Sequence, residues 1–187
     1  MIIGITGTLG AGKGTIVEIL KEKGFEHYSV REFLIKEIKK RNLIVNRDSM
    51  VLVANELRAN NSPSYIVEKL YEESKNIGGN CIIESLRTAG EVEALKEKEN
   101  FYLFSIDANP FLRYERILQR DSETDKISYE KFILNEKREM NSDNLNKQNI
   151  SKCIELADFK FENNETIEKL RKEVFEVLKT FENSKPR

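Results

Sequence analysis

The 187-residue chain has no tryptophan, a single histidine (His27), two cysteines and three prolines. One histidine and two distant cysteines, Cys81 and Cys153, argue against a zinc site, which needs clustered Cys and His ligands. Both thiols sit in apolar contexts, which fits a reducing cytosol. Three Pro and nine Gly are too few for a turn-rich β protein or a disordered chain. Apolar runs end after a few residues, far short of the ~20 that cross a bilayer. No basic segment precedes the apolar stretch of Met1-Ile2-Ile3-Gly4, so a signal peptide is not expected. Charge of one sign is also missing: 31 Lys+Arg against 32 Asp+Glu leaves a net charge of −1 and no global field to grip nucleic acid. Lys137, Arg138, Lys147 and Lys152 are interleaved with acids and lack an aromatic stacking platform. The expectation is a soluble cytoplasmic protein with neither nucleic acid nor membrane as partner.

What is present is 39% hydrophobic and 34% charged sequence, enough for one core with much exposed helix. Apolar runs at Ile2–Ile5, Phe25–Ser29, Cys81–Glu84, Phe101–Ile106 and Phe159–Phe161 read as buried strands. Between them lie helical patterns: Ile16, Val17, Ile19 and Leu20, a helix over 31–41, and a third from the cap Asn46-Arg47-Asp48-Ser49 to about Ala59. Others run from Ser62-Pro63-Ser64 to about Asn76, over 91–98, and from Asn109-Pro110 through Arg120. Tyr129, Phe132, Ile133 and Met140 give one pattern within the very polar residues 121–150. Ile167, Leu170, Val174, Val177, Leu178 and Phe181 form the face of a last helix. Strands alternating with helices predict a three-layer α/β/α fold on a five-stranded parallel sheet. The polar end, Glu182 to Arg187, reads as a frayed tail or the start of a linker.

The chemistry concentrates in Gly7-Thr8-Leu9-Gly10-Ala11-Gly12-Lys13-Gly14-Thr15, a G-x-x-x-x-G-K P-loop between an apolar strand and an amphipathic helix. Backbone N–H groups must wrap a triphosphate closely, so glycines replace side chains, the helix N-terminus adds partial positive charge, and Lys13 supplies a point charge. This predicts ATP contacts at Gly7, Leu9, Gly10, Ala11, Gly12, Lys13, Gly14 and Thr15. Gly14 stands where Ser or Thr usually ligates Mg²⁺, which shifts that hydroxyl to Thr15 and leaves much of the metal to phosphate and water. A dinucleotide fingerprint is disfavoured, because Thr15 occupies the place of its third glycine.

Ligands in open α/β sheets sit at the carboxyl ends of strands. There the chain offers Ser29 and Arg31, then Glu84-Ser85-Leu86-Arg87-Thr88, then Asp107 with Arg113, Arg116 and Arg120 beyond it. Arginine suits phosphoryl groups through its fixed fork of donors. Arg116 and Arg120, at i, i+4, share one helix face and are read as catalytic; Arg113 reads more simply as a solvated position. Arg87 is a substrate or catalytic residue, and Glu84 a ligand for a magnesium water or an acceptor hydroxyl. Arg31, Arg58 and Arg138 fit a phosphate contact and a plain ion pair equally well. Asp107 fits a site residue and a helix cap equally; His27 reads as a strand-end spacer and the cysteines as packing.

Gly10-Ala11-Gly12-Lys13-Gly14-Thr15, Glu84-Ser85-Leu86-Arg87-Thr88, Arg116 and Arg120 resemble the nucleoside monophosphate kinases of the adenylate kinase type. The resemblance implies Mg·ATP as donor, with Lys13, Arg116, Arg120 and Arg138 around the transferring phosphoryl group and Arg87 on the acceptor phosphate. The chain departs from that pattern in Glu84 for Asp, Ser85 for Gly, and Ser29-Val30-Arg31-Glu32 where T-G-D is usual. Ala157-Asp158-Phe159 through Asn163-Asn164 and Ile167-Glu168 is similar to the ending of dephospho-coenzyme A kinase-like and deoxynucleotide kinase-like proteins, some fused to a deoxycytidylate deaminase domain. That likeness implies a nucleotide contact at Asn163 and a possible C-terminal deaminase in a longer protein. The expected assembly is one kinase domain over 1–187, with residues 31–76 clamping a small nucleotide acceptor and 121–150 acting as a short helical lid. The alternatives are a dephospho-coenzyme A kinase-type enzyme and a nucleotide-binding regulatory module with little turnover.

Overall fold

The computed structural model describes residues 1–120, 127–144 and 146–183. Its strands are β1 (Ile2–Gly7), β2 (Glu26–Ser29), β3 (Cys81–Glu84), β4 (Phe101–Asp107) and β5 (Phe159–Glu162). They form one sheet in the order β2-β3-β1-β4-β5, every neighbouring pair parallel. β1 is central and fully buried, which is why it is a run of apolar and small residues without alternation.

The helices are α1 (Lys13–Lys21), α2 (Val30–Lys40), α3 (Arg47–Asn60), α4 (Tyr65–Ile77), α5 (Ala89–Lys96), α6 (Pro110–Leu118), α7 (Tyr129–Met140), α8 (Ile150–Glu155) and α9 (Ile167–Asn183). Side chains alternate across the pleat, so the sheet feeds two cores. Ile3, Ile5, Ile82, Phe104 and Ile106 pack beneath α1 and α9 with Leu20, Leu170 and Val174. Ile2, Cys81, Ile83 and Leu103 pack on the other face with Leu34, Val53, Ile66 and Val92. This is the expected three-layer α/β/α architecture of P-loop NTPases.

The structure corrects several local expectations. α5 starts at Ala89, earlier than the sequence pattern suggested, because Thr88 and Glu91 form a reciprocal capping box. α6 ends at Leu118, so Arg116 and Arg120 do not continue one helix face; a tighter turn, with Arg120 N–H donating to Ile117 O, re-aims the second arginine. α8 was not anticipated. It begins within the segment read as a lid, and buries Ile150 and Cys153 against the sheet. Of the polar end, residues 184–187 lie outside the described residues, as do 121–126 of the lid-like segment.

Close approach fixes the P-loop glycines. A Cβ on Gly7, at φ +136°, would lie 2.0 Å from the Ile106 carbonyl oxygen of the adjacent strand. One on Gly12, at φ +109°, would lie 2.3 Å from Asn163 Nδ2. Gly14 has ordinary helical geometry and nothing within 4 Å of such a Cβ. Thermal melts should therefore separate the two ends of the loop. Gly7→Ala is expected to cost more than ~3 kcal/mol, whereas Gly14→Ala should be neutral or stabilising by up to ~1 kcal/mol.

Candidate active site

The carboxyl ends of β1, β2 and β3 open into a cavity of about 460 Å³, with the P-loop at one end and α2 and α3 at the other. The P-loop end is braced from behind. Thr8 Oγ1 donates to Asp107 Oδ1 (2.5 Å), Asn163 Nδ2 donates to Ala11 O (2.8 Å), and Arg113 donates to Ala108 O (2.8 Å) and Leu9 O (3.3 Å). Arg113 is itself paired with Glu136. Asp107 and Arg113 thus serve the loop's shape, and Asn109, whose side chain accepts from Phe111 N–H, caps α6.

Lys13 opens α1 behind an N-cap, Gly12, that has no side chain to offer the first-turn N–H groups. Its ammonium donates to Gly7 O (2.9 Å) and Thr8 O (2.8 Å) and is 9% exposed. Burial, with Arg87 and Arg120 nearby, pushes its pKa down to about 7 against the opposing pull of Glu84. Thr15 and Gly14 line the cavity beside it.

Glu84 ends β3 with Oε2 3.3 Å from His27 Nε2 and Oε1 accepting from Ser85 Oγ (3.2 Å). Burial alone would raise its carboxyl; His27, Lys13 and Ser85 together outweigh that and hold it below the usual carboxylate range. His27 is therefore a partner of a cavity residue, more than the spacer expected. Ser85 lines the cavity at φ +76°, a left-handed backbone that a serine adopts only at a cost of about 1–2 kcal/mol.

The wall away from the P-loop is built on Glu91, which is fully buried. Its Oε1 accepts from Arg58 Nε (3.1 Å) and Nη2 (2.7 Å), and its Oε2 from the N–H groups of Arg87 (2.8 Å) and Thr88 (3.1 Å). Arg58 Nη1 is buried and has no hydrogen-bond partner among the described residues, and Arg58 lines the cavity. Arg87 pairs with Glu139 instead of the neighbouring Glu84, through Nη1 to Oε2 at 2.6 Å. The other Glu139 oxygen pairs with Arg47.

The predicted residues thus divide. Leu9, Gly10, Gly12, Lys13, Gly14, Thr15, Arg31, Arg58, Glu84, Arg87 and Arg120 line one cavity. Gly7 and Ala11 shape the loop that borders it. Arg116 lies outside the lining, its Nη2 donating to Asn163 O (2.9 Å) and its Nη1 buried without a hydrogen-bond partner among the described residues. Arg138 is also outside: it is half-exposed and paired with Asp48 at 3.0 Å, a surface contact between α7 and α3. The residue after it, Glu139, enters the cavity instead. α7 buries Phe132, Asn135 and Glu139, a stripe at i, i+3, i+7 that is mostly polar and so escaped a search for apolar periodicity. Arg47 and Gln148 were likewise missed, being polar positions with no local motif.

The AAA_18 family model, an AAA domain, matches residues 3–143. The UPF0200 protein of Methanococcus vannielii is 30% identical over 182 residues, covering 95% of each chain. The chain belongs to the AAA_18 family and to the UPF0200 proteins. Among solved structures, this AAA_18 chain is similar to a shikimate kinase of Bacteroides thetaiotaomicron, with TM-score 0.62, 12% identity, and 96% and 98% of the two chains covered. It is also similar to a dephospho-CoA kinase of Campylobacter jejuni, with TM-score 0.55, 18% identity and 96% of each chain covered. At these identities the likeness carries the fold. Among the described residues of this family member, no helix is long and apolar enough to cross a membrane.

The buried Arg58–Glu91 pair gives a test of the wall. Arg58→Met leaves the Glu91 carboxylate with its backbone partners alone, and urea unfolding should report a loss of about 3–5 kcal/mol. A change below ~1 kcal/mol would mean the pair contributes little.

Proposed function

We propose that the protein is an ATP-dependent phosphotransferase that moves the γ-phosphate of Mg·ATP to a nucleotide-like acceptor, a (deoxy)nucleoside monophosphate. The observation that carries this reading is one cavity lined both by the P-loop lysine, Lys13, and by the guanidinium residues Arg58 and Arg87 from α3 and the β3–α5 connection. Phosphoryl transfer is mostly positioning and charge stabilisation, and it needs cations around both the transferred group and the acceptor's anion.

In this reading the P-loop amides and Lys13 hold the triphosphate, and Arg120 meets it from the cavity rim. Arg87 and Arg58 receive the acceptor's anionic group, while Val30, Leu34, Met50 and Ala54 contact its apolar body. Arg116 and Asn163, joined behind the P-loop, border the donor nucleotide. Arg138 has no place in the transfer step. Mg²⁺ fits the donor set: the Thr15 hydroxyl and the ionised Glu84 carboxylate are hard oxygen ligands lining the cavity. Among the described residues no three Asp, Glu, His or Cys side chains converge on a dedicated cage. Magnesium shared between phosphate, water and one or two protein oxygens matches that sparse set, and when bound it neutralises phosphate charge.

A dephospho-coenzyme A kinase-type reaction is the second reading, favoured by Glu84, a carboxylate able to accept the proton of a hydroxyl acceptor. Coupled ADP release against ribo- and deoxyribonucleoside monophosphates and dephospho-coenzyme A separates the two. Turnover with a monophosphate is expected, reduced about 10²–10³-fold in Lys13→Ala and in Arg87→Ala. Tight ATP binding with no acceptor-dependent ADP would overturn the phosphotransferase reading in favour of a sensing module.

The lowered Lys13 pKa gives an independent check. Between about 7 and the ordinary 10.5 the free protein holds Lys13 largely neutral. A bound polyphosphate favours the charged form, so binding at pH 8 should take up close to one proton, and almost none below pH 6. Calorimetry in two buffers of different ionisation heat reads that uptake, which Lys13→Met should abolish. A buffer-independent enthalpy in the unaltered protein would refute it.

A further inference from the structure

Glu139 is 3% exposed and contributes its carboxylate to the wall of the cavity from α7. Its Oε1 accepts from Nε of Arg47 (2.9 Å), whose Nη2 lies at ion-pair distance (2.5 Å), and its Oε2 accepts from Arg87 Nη1 (2.6 Å). These partners come from α3 and from the connection between β3 and α5. Arg58, three turns beyond Arg47 on α3, lines the same cavity, and its Nη1 is buried with no hydrogen-bond partner among the described residues.

We propose that Glu139 occupies the seat of the acceptor's anionic group in the free protein, and that an acceptor bearing a phosphate or carboxylate binds by exchanging its oxyanion for this side chain. Naming the guest an acceptor rests on the phosphotransferase reading; the exchange itself rests on the arginines.

Two carboxylates meet this arginine cluster, and they are held differently. Glu91 is tied to two backbone N–H groups and closes the cap of α5, so removing it would unravel the start of a helix. The Glu139 carboxylate is held by side chains, which can turn to a new partner without any loss of secondary structure. An incoming oxyanion would take the donors of Arg47 and Arg87 that Glu139 now holds, in the cavity that Arg58 also lines. A second negative charge would compete with Glu139 for the same Arg47 and Arg87 donors and be repelled by its carboxylate, so each disfavours the other. Gln148, which also accepts from Arg87 Nη1 (3.1 Å), is neutral and can remain.

The test is phosphate binding with the P-loop filled by ADP. Inorganic phosphate is titrated by calorimetry into the unaltered protein and into Glu139→Gln, which keeps shape and removes charge. Exchange predicts about tenfold tighter phosphate binding in the variant, a coupling of ordinary size. Acetate in a parallel titration distinguishes the guests: a gain confined to phosphate points to a phosphate monoester, a gain with acetate to a carboxylate. Equal or weaker affinity for both in Glu139→Gln would overturn the proposal and make Glu139 a permanent brace. Should the variant fail to fold, hydrogen exchange in the unaltered protein decides. Phosphate should speed exchange of the α7 amides, and slowed or unchanged exchange would overturn the exchange of partners. If ADP does not bind, the phosphotransferase reading fails by itself. The phosphate titrations are then made without nucleotide in a Lys13→Met background, which removes the P-loop cation.

Discussion

Crowded positive charge is the constraint on which the rest of the structure depends. Among the described residues, Lys13, Arg31, Arg47, Arg58, Arg87 and Arg120 line one cavity of about 460 Å³ that only two carboxylates, Glu84 and Glu139, share. Lys13 and Arg58 are buried, Arg47 and Arg87 part-buried, and Arg31 and Arg120 exposed; the buried ones lose hydration and feel their neighbours' repulsion, which opposes folding unless hydrogen bonds fix them. Lys13 feels this most: burial and the nearby Arg87 and Arg120 guanidiniums disfavour its charge and push its pKa down against Glu84 and Glu139. An anionic guest relieves the tension, which is why the same arrangement that burdens the free fold suits phosphate chemistry.

What bears the burden is a set of buried polar contacts just behind the cavity. Glu91 joins Arg58 on α3 to the backbone at Arg87 and Thr88, so that one carboxylate sets both the start of α5 and the position of two arginines. On the other side, Asp107, Arg113 and Asn163 reach the P-loop from the ends of β4 and β5 and from α6. The loop itself cannot supply this rigidity. Its glycines must keep their Cβ positions empty to pass the neighbouring strand and Asn163 at such short range.

Much of this was legible in the residues. The P-loop is local, because its function needs glycines and a lysine at fixed spacing on a strand–turn–helix, and Gly7, Gly12 and Lys13 lie where that pattern requires. Glu84 and Arg87 were found by a topological rule, that strand ends meet ligands in parallel sheets. Arg116 and Arg120 were grouped by an i, i+4 spacing that assumed an unbroken helix, and the end of α6 at Leu118 separates them. In α7 the sequence pattern pointed to Arg138, the basic residue, whereas the fold turns Glu139 inward.

The sequence by itself determined the α/β layering, the parallel strands and the phosphate loop, because these follow from short-range periodicity and from backbone conformations that few residues tolerate. Only the tertiary structure decided which charges face one another. Arg47, Arg58, Arg87, Glu91 and Glu139 come from separate stretches of chain, and each is polar, so no hydrophobic period announces which side will be buried. Their pairing is fixed by the packing of α3, α5 and α7 around the sheet, a long-range outcome in which position matters more than residue type.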